Sequence, residues 1–584
     1  MKKFGKEASK SHEKRPNIMI ITTDEERYPP PYENEAARLF RQENSKVLDE
    51  MRAHGIEFKH HYAASTACAP SRTTLYTGQY PSLHGVSQTP GIGKSSYDQN
   101  MFWLEPNTVP TLGNYFQAAG YQTHYRGKWH LNHPDLNVPG TETSVLSNAP
   151  DGTPFPDRIA LYEHANRLRE YGFNNWIGPE PHGNLQANCG TSRDGGFANQ
   201  VCRTIDQLEQ QASDGDDTPF LLVSSFLNPH DIVLFGAQWF TTFQQLQADG
   251  KLPQVDEAPT ANESLLTKPR CQKDYLYTYP RMVLPQPPNE TYRQFYYFLM
   301  AEVHKHIARV YQHLKNSALF DNTIVIFTSD HGEMLGSHGG LHQKWYNAYN
   351  ESLHVPLIIS NPNLFKQAET SELYTSHIDL LPTILGLAGI DQEATRRELA
   401  KSHSEAQKPV GRDLSGVITG KTKGNDEPIY FMTDDNPEVG SQMFNPMTGF
   451  AYNPIIQPKH VETVITKLPL LTGEVVWKYS RYYDNPRFAV GQVGNPDNIT
   501  TPRGIPDEYE CYDLNADPLE QENRMSPICP NPLPENVQKA LDHELKKQHR
   551  EKRLYPQTLN NQDTDDDEDS GSDKNSKPQV PMRN

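Results

Sequence analysis

At 584 residues the chain is longer than one ordinary core fills, so two domains are the expectation. Its formal charge of −18 weighs against a nucleic-acid partner, whose phosphates are gripped by a Lys/Arg excess. No apolar run approaches the ~18 residues of a membrane span, and residues 1–17 carry bases without the apolar core of a secretory signal. The expected location is therefore cytoplasmic, off the membrane, with reduced thiols.

Residues 1–15 read as a flexible start. Pro16–Glu26 (PNIMIITTDEE) is a short apolar run ending in acids, the pattern of a buried parallel strand. Glu35–His54 has helical spacing and stops at Gly55, and Ile56–Ala64 suits a second strand. CAPSRTTLYTG (Cys68–Gly78) is a helix-like run. Pro110–Ala119 reads as a helix and Tyr121–His130 as a strand. A Gly/Pro/Asn-rich stretch follows, then the strand-like Phe220–Asp231 and a loop-rich insertion to about residue 290. Tyr292–Leu314 is the longest helix candidate, followed by strands at Thr323–Glu333 and Val355–Ser360 and a helix at Asp379–Ala388. This alternation predicts an α/β fold over residues 16–420, a large, mainly parallel sheet sandwiched by helices. Short strands separated by turns, then one helix (Pro534–His549), predict a smaller α+β domain over 421–554. Residues 555–584 read as an acidic disordered tail; Asp563–Asp573 alone holds seven acids and no base.

Polar clusters close three of the predicted strands: Asp24-Glu25, Asn228-Pro229-His230-Asp231 and Asp330-His331. In open α/β sheets ligands bind beyond the carboxyl ends of strands. One acid there is usually a cap or turn former, but together these residues could gather oxygen donors and an imidazole suited to Ca2+, Mg2+ or Mn2+. Arg72, Lys128, His130 and Lys344 lie on the same plan, so an anion site is expected on an otherwise acidic protein. Cys189, Cys202, Cys271, Cys511 and Cys529 form no CxxC pair, which leaves zinc-type spacing absent.

CAPSRTTLYTG fits C-x-P-S-R-x-x-x-x-T-G and resembles the signature of the type I sulfatases, members of the alkaline phosphatase superfamily. GKWH (Gly127–His130), N-P-H, T-S-D-H-G-E with its following lysine, His377–Gly389 and Tyr509–Asn523 occur in that family's order. The resemblance implies that a maturation enzyme oxidises Cys68 to formylglycine (3-oxoalanine). One hydroxyl of its hydrated, metal-bound form attacks sulfur, and the second expels sulfate. It also implies Asp24, Asp330, His331 and residue 68 as ligands of one divalent metal, with Ca2+ favoured, and Glu25 in place of the commoner second Asp. Arg72 would orient the diol and His130 act as the base. Lys128 and Lys344 would hold sulfate oxygens, while His230 either contacts sulfate or protonates the leaving oxygen. His338 and His342 are weaker candidates for substrate contact. The implied activity is that of an arylsulfatase-like sulfuric ester hydrolase acting on a small-molecule sulfate ester. The alternatives are a phosphonate monoester or phosphodiester hydrolase on the same scaffold, and a catalytically silent anion-binding protein.

Overall fold

The computed structural model describes residues 14–91, 93–181, 183, 185–237, 240–470, 473–484 and 505–557. The acidic tail from residue 558 and the predicted flexible start, except its last two residues, lie outside the described residues. Seven strands form one sheet: β1 (Asn17–Asp24), β2 (Gly55–Tyr62), β3 (Gln122–Gly127), β4 (Phe220–Pro229), β5 (Thr323–Ser329), β6 (Leu357–Ser360) and β7 (Glu369–Ser376). Their order is β3-β4-β1-β5-β6-β2-β7. All run parallel except β6, which is antiparallel to both β5 and β2.

The two-residue period of β1 sends Ile18 and Ile20 into one core and Met19 and Ile21 into another on the opposite face. Helices Cys68–Thr77, Leu112–Ala118 and Leu380–Leu387 cover the first face. Helices Lys46–Ala53, Gly190–Ser213 and Glu290–Lys315 cover the second. The expected sandwich is therefore present. No described helix is long and apolar enough to cross a membrane.

Three local expectations change. The helix expected over Glu35–His54 is two helices, Glu35–Asn44 and Lys46–Ala53, parted at Ser45. There the Ser45 N–H and hydroxyl both donate to the Arg41 carbonyl. Gly55 opens β2, since a Cβ would lie 2.6 Å from the Met51 carbonyl oxygen and 2.7 Å from that of Ile359. The stretch read as irregular before residue 200 contains the start of the 24-residue helix Gly190–Ser213, and the 232–290 insertion contains helices Thr241–Ala248 and Arg270–Met282. Tertiary contacts override the glycines of the first: Asp231 accepts the N–H groups of Gly190 (2.9 Å) and Thr191 (3.1 Å), capping its positive end. In return Asp194 of that helix accepts those of Leu227 (2.7 Å) and Asn228 (3.0 Å) in β4. Helix and strand end are thus clasped together.

Beyond the helical turn Ser415–Ile418 the chain builds a separate sheet. Its strands are β8 (Ile429–Thr433), β11 (His460–Leu470), β12 (Gly473–Tyr483) and β13 (Glu508–Asp513), antiparallel in the order β13-β12-β11-β8. A small hairpin, β9 (Phe444–Asn445) and β10 (Phe450–Ala451), lies between β8 and β11 in sequence. Helix Glu535–Lys552 lays Val537, Leu541 and Leu545, four residues apart, onto the antiparallel sheet.

Candidate active site

Strands β3, β4, β1 and β5 are neighbours running the same way, so their carboxyl ends share one edge. Lys128, His230, Asp24 and Asp330 stand at those four ends. Close approach of β3 to β4 requires Gly127: its φ is +104°, and a Cβ would fall 1.8 Å from the Ser225 carbonyl oxygen. The Lys128 N–H then donates to that same carbonyl at 3.0 Å.

Cys68 is the first residue of the ten-residue helix Cys68–Thr77, every residue of which is buried. One turn on, Arg72 faces the same way. Its Nε donates to Asp330 (2.9 Å), one terminal nitrogen to Asp24 (2.8 Å) and the other to Ser225 Oγ (2.8 Å) and the Lys128 carbonyl (3.1 Å). Lys128 Nζ lies 2.7 Å from Asp24. Burial alone would raise the Asp24 pKa, but the charges of Lys128 and Arg72 outweigh it and hold the carboxyl well below the usual range.

Asp24, Cys68, Asp330 and His331 each turn one donor atom into a buried cluster spanning no more than 4.8 Å. His331 Nε2 is 3.2 Å from Cys68 Sγ, 3.7 Å from Asp330 Oδ1 and 3.9 Å from Asp24 Oδ1. The His331 Nδ1 sits 3.0 Å from the Gly332 carbonyl and so carries the proton, turning the Nε2 lone pair toward the other donors. Two carboxylates, an oriented imidazole and a residue at position 68 fit a divalent cation. Burial and the Asp24 carboxylate push the Cys68 thiol up to about 11. Glu25 lies outside this cluster; with Asp24 and His230 it forms a second one. Its Oε1 accepts from Lys344 Nζ at 2.5 Å.

Glu25 and His130 both hold positive φ, 73° and 69°. Glu25 is anchored through its N–H to Asp330 (3.2 Å) and its carbonyl to the Tyr296 hydroxyl (2.7 Å). The Glu180 carboxylate fixes His130 by accepting the N–H groups of Trp129 (2.9 Å) and His130 (3.1 Å). Cys68, Lys128, His130, His230 and Lys344 all border one cavity of about 340 Å3. Burial and neighbouring Lys128 hold the half-buried His230 well below its ordinary pKa. Its sequence neighbour Asp231 turns away to the helix cap described above.

Sequence reasoning passed over Glu180 and Asp435. Asp435 follows β8 in the second sheet, yet accepts from the Thr89 N–H (3.0 Å), the Trp345 indole (3.0 Å) and the N–H of Ala67, beside Cys68 (3.4 Å). An acid just after a strand was the available signal. Glu180 sits in a Pro-rich loop and carries none.

His338 and His342 do not border the cavity. His338 is stacked 3.7 Å from Tyr349 and placed between Glu263 (2.8 Å) and Glu351 (3.6 Å). Burial opposes its charge, but the two carboxylates raise its pKa to about 9. Its stabilising contribution is full below the ordinary value of 6.5 and is lost as pH rises through about 9. The unfolding free energy of the wild type should exceed that of His338→Gln by roughly 3 kcal/mol more at pH 6 than at pH 10. Urea titrations of both proteins check this.

Residues 16–390 match the family model described as Sulfatase. The chain is 30% identical over 392 residues to the uncharacterised sulfatase YidJ of Escherichia coli K12, covering 65% of this chain and 69% of that one. It is 23% identical over 550 residues to the iduronate 2-sulfatase of Homo sapiens, covering 87% and 90%. Among solved structures, a phosphonate monoester hydrolase of Silicibacter pomeroyi superposes with a TM-score of 0.57 at 18% identity, covering 93% of this chain and 97% of that one.

Proposed function

The chain belongs to the sulfatase family and is a sulfuric ester hydrolase; we propose that it cleaves a small-molecule sulfate monoester through a formylglycine made from Cys68. The observation that carries this reading is the meeting of Cys68 with Asp24, Asp330 and His331 on the floor of a cavity that Lys128, His130, His230 and Lys344 also border. A divalent cation held by Asp24, Asp330, His331 and residue 68 would supply Lewis acidity, and the oxygen donors favour Ca2+ over Mn2+ or Mg2+. Glu25 serves as the partner of Lys344.

A formylglycine at position 68 would supply, as its hydrate, one hydroxyl as the nucleophile toward sulfur and a second through whose deprotonation sulfate would be released. Arg72 orients residue 68 while holding both carboxylates. Lys128 and Lys344 bind the ester's non-bridging oxygens. His130 accepts the proton of the second hydroxyl, and His230 delivers one to the bridging oxygen as the alcohol departs. An arriving anionic ester raises the proton affinity of His230, countering Lys128 and the desolvation. We assign this chemistry to residues 16–420 and one cavity wall to residues 421–554. The six cysteines are unpaired, which suits a reducing, cytoplasmic setting and a maturation enzyme acting there.

The peptide His60–Arg72 of active protein is expected to carry an aldehyde that reacts with hydrazide, detected by mass spectrometry. In matched aryl esters, kcat/KM should be highest for sulfate monoesters, lower for phosphodiesters and lowest for phosphate monoesters. Full activity in a preparation whose every Cys68 can be alkylated refutes the mechanism. A tenfold win by a phosphodiester or phosphonate monoester, about 1.4 kcal/mol of barrier, moves the assignment to that chemistry.

A further inference from the structure

Above its ionic floor the catalytic cavity changes character. Its walls include Val233, Leu234, Met282, Leu284, Trp345 and Met447. Among the described residues bordering it, the side chains with a full charge are Lys128 and Lys344, tied to Asp24 and Glu25 at the floor. Among the described residues of those walls, a uronate carboxylate or a second sulfate on the substrate would meet no guanidinium or ammonium. Hydrogen-bonding capacity there is also partly taken: the Asn445 amide donates to the carbonyls of Met282 (2.7 Å) and Val283 (2.6 Å). That bond pins the β9–β10 hairpin of the second domain against the rim.

The same hairpin carries the apolar surface outward. Asn445 and Met447 border the cavity, and Phe450, the cross-strand partner of Asn445 and so on its face of the hairpin, is 58% exposed. A large apolar side chain at this exposure, on the face of the hairpin that borders an apolar cavity, marks a contact surface. Resting on the sulfatase reading above, we propose that the alcohol half of the substrate is an uncharged apolar body, an alkyl-bearing aryl group. It seats against Val233, Leu234, Met282 and Leu284, and its far end runs over the hairpin at Phe450. The two domains then divide the ester: the first grips the sulfate and the second grips the tail.

Binding of 4-alkylphenyl sulfates, methyl to butyl, to the Cys68→Ala protein and in parallel to protein whose Cys68 is still the unconverted thiol, by calorimetry, tests the assignment without turnover. Kd is expected to fall at least tenfold across the series, since each buried methylene adds affinity. The double variant Met282→Ser/Phe450→Ser in the same background should flatten the fall. A constant Kd across the series, or tighter binding of a sulfated uronate than of butylphenyl sulfate, overturns the assignment. A dimer that Phe450→Ser separates in sedimentation, with the chain-length dependence unchanged, gives the hairpin to a second copy and overturns its role under the tail. Turnover of phenyl sulfate by the wild type decides the sulfatase reading separately, because phenyl sulfate carries no tail.

Discussion

Cys68→Ala is expected to lower turnover by about 10^4-fold or more, because on the proposed mechanism it removes the group from which the nucleophile would be made. The fold should survive. Position 68 is the first residue of a helix, where alanine is tolerated, and a single sulfur is lost from a site already bordering a cavity. The sharper experiment is Cys68→Ser in protein whose serine stays unoxidised. A single hydroxyl can attack sulfur but has no second hydroxyl through which to expel the sulfate. Rapid-quench kinetics should then give a burst approaching one alcohol per enzyme, followed by arrest. Sustained turnover by unoxidised serine would refute the elimination step while leaving the rest of the site intact.

Arg72→Leu should be the most destabilising single change in the site. The guanidinium is 1% exposed and makes four bonds, two of them to the buried Asp24 and Asp330. Removing one partner of a buried ion network leaves uncompensated charge and costs about 3–5 kcal/mol in metal-free protein. The sign with pH follows from Asp24, whose pKa is held well below the ordinary 3.8, with Lys128 and Arg72 outweighing burial. Its stabilisation is present above that value and is lost as pH falls through the folded pKa. The gap between wild type and variant should therefore be widest near neutrality and narrow in acid, as urea unfolding from pH 7 to pH 3 can measure. Arg72→Lys should not restore it, because one ammonium cannot reproduce the planar fork that spans both carboxylates. A neutral Arg72→Leu would mean that Lys128 alone satisfies the pair.

The first half of the site was legible because buried parallel strands are written as unbroken apolar runs. Asp24, His230 and Asp330 could be placed at a sheet edge from where those runs stop. Which strands lie side by side was not written there; the order β3-β4-β1-β5 is a product of crossover connections, and it alone turns separate clusters into one cavity. The helix Gly190–Ser213 was missed because Gly195 and Gly196 interrupt its signal, while Asp231, which caps it, lies 41 residues downstream. Strand β7 was missed because ETSELYTS is mostly polar, as befits the sheet's last strand. Asp435 obeyed the acid-after-strand rule, but in the smaller domain, where no site residue was expected.

Cys68 is 2% exposed, and Asp435, which ties down the residue before it, is made 367 residues later. During synthesis the thiol therefore precedes the part of the chain that helps to close the site. At ~5–20 residues per second, that interval lasts roughly 20–70 s. On the proposed conversion of Cys68, a modifying enzyme that must surround the sulfur would have a clock as well as a motif. Slowing translation lengthens its opportunity, and fast folding of the completed chain ends it.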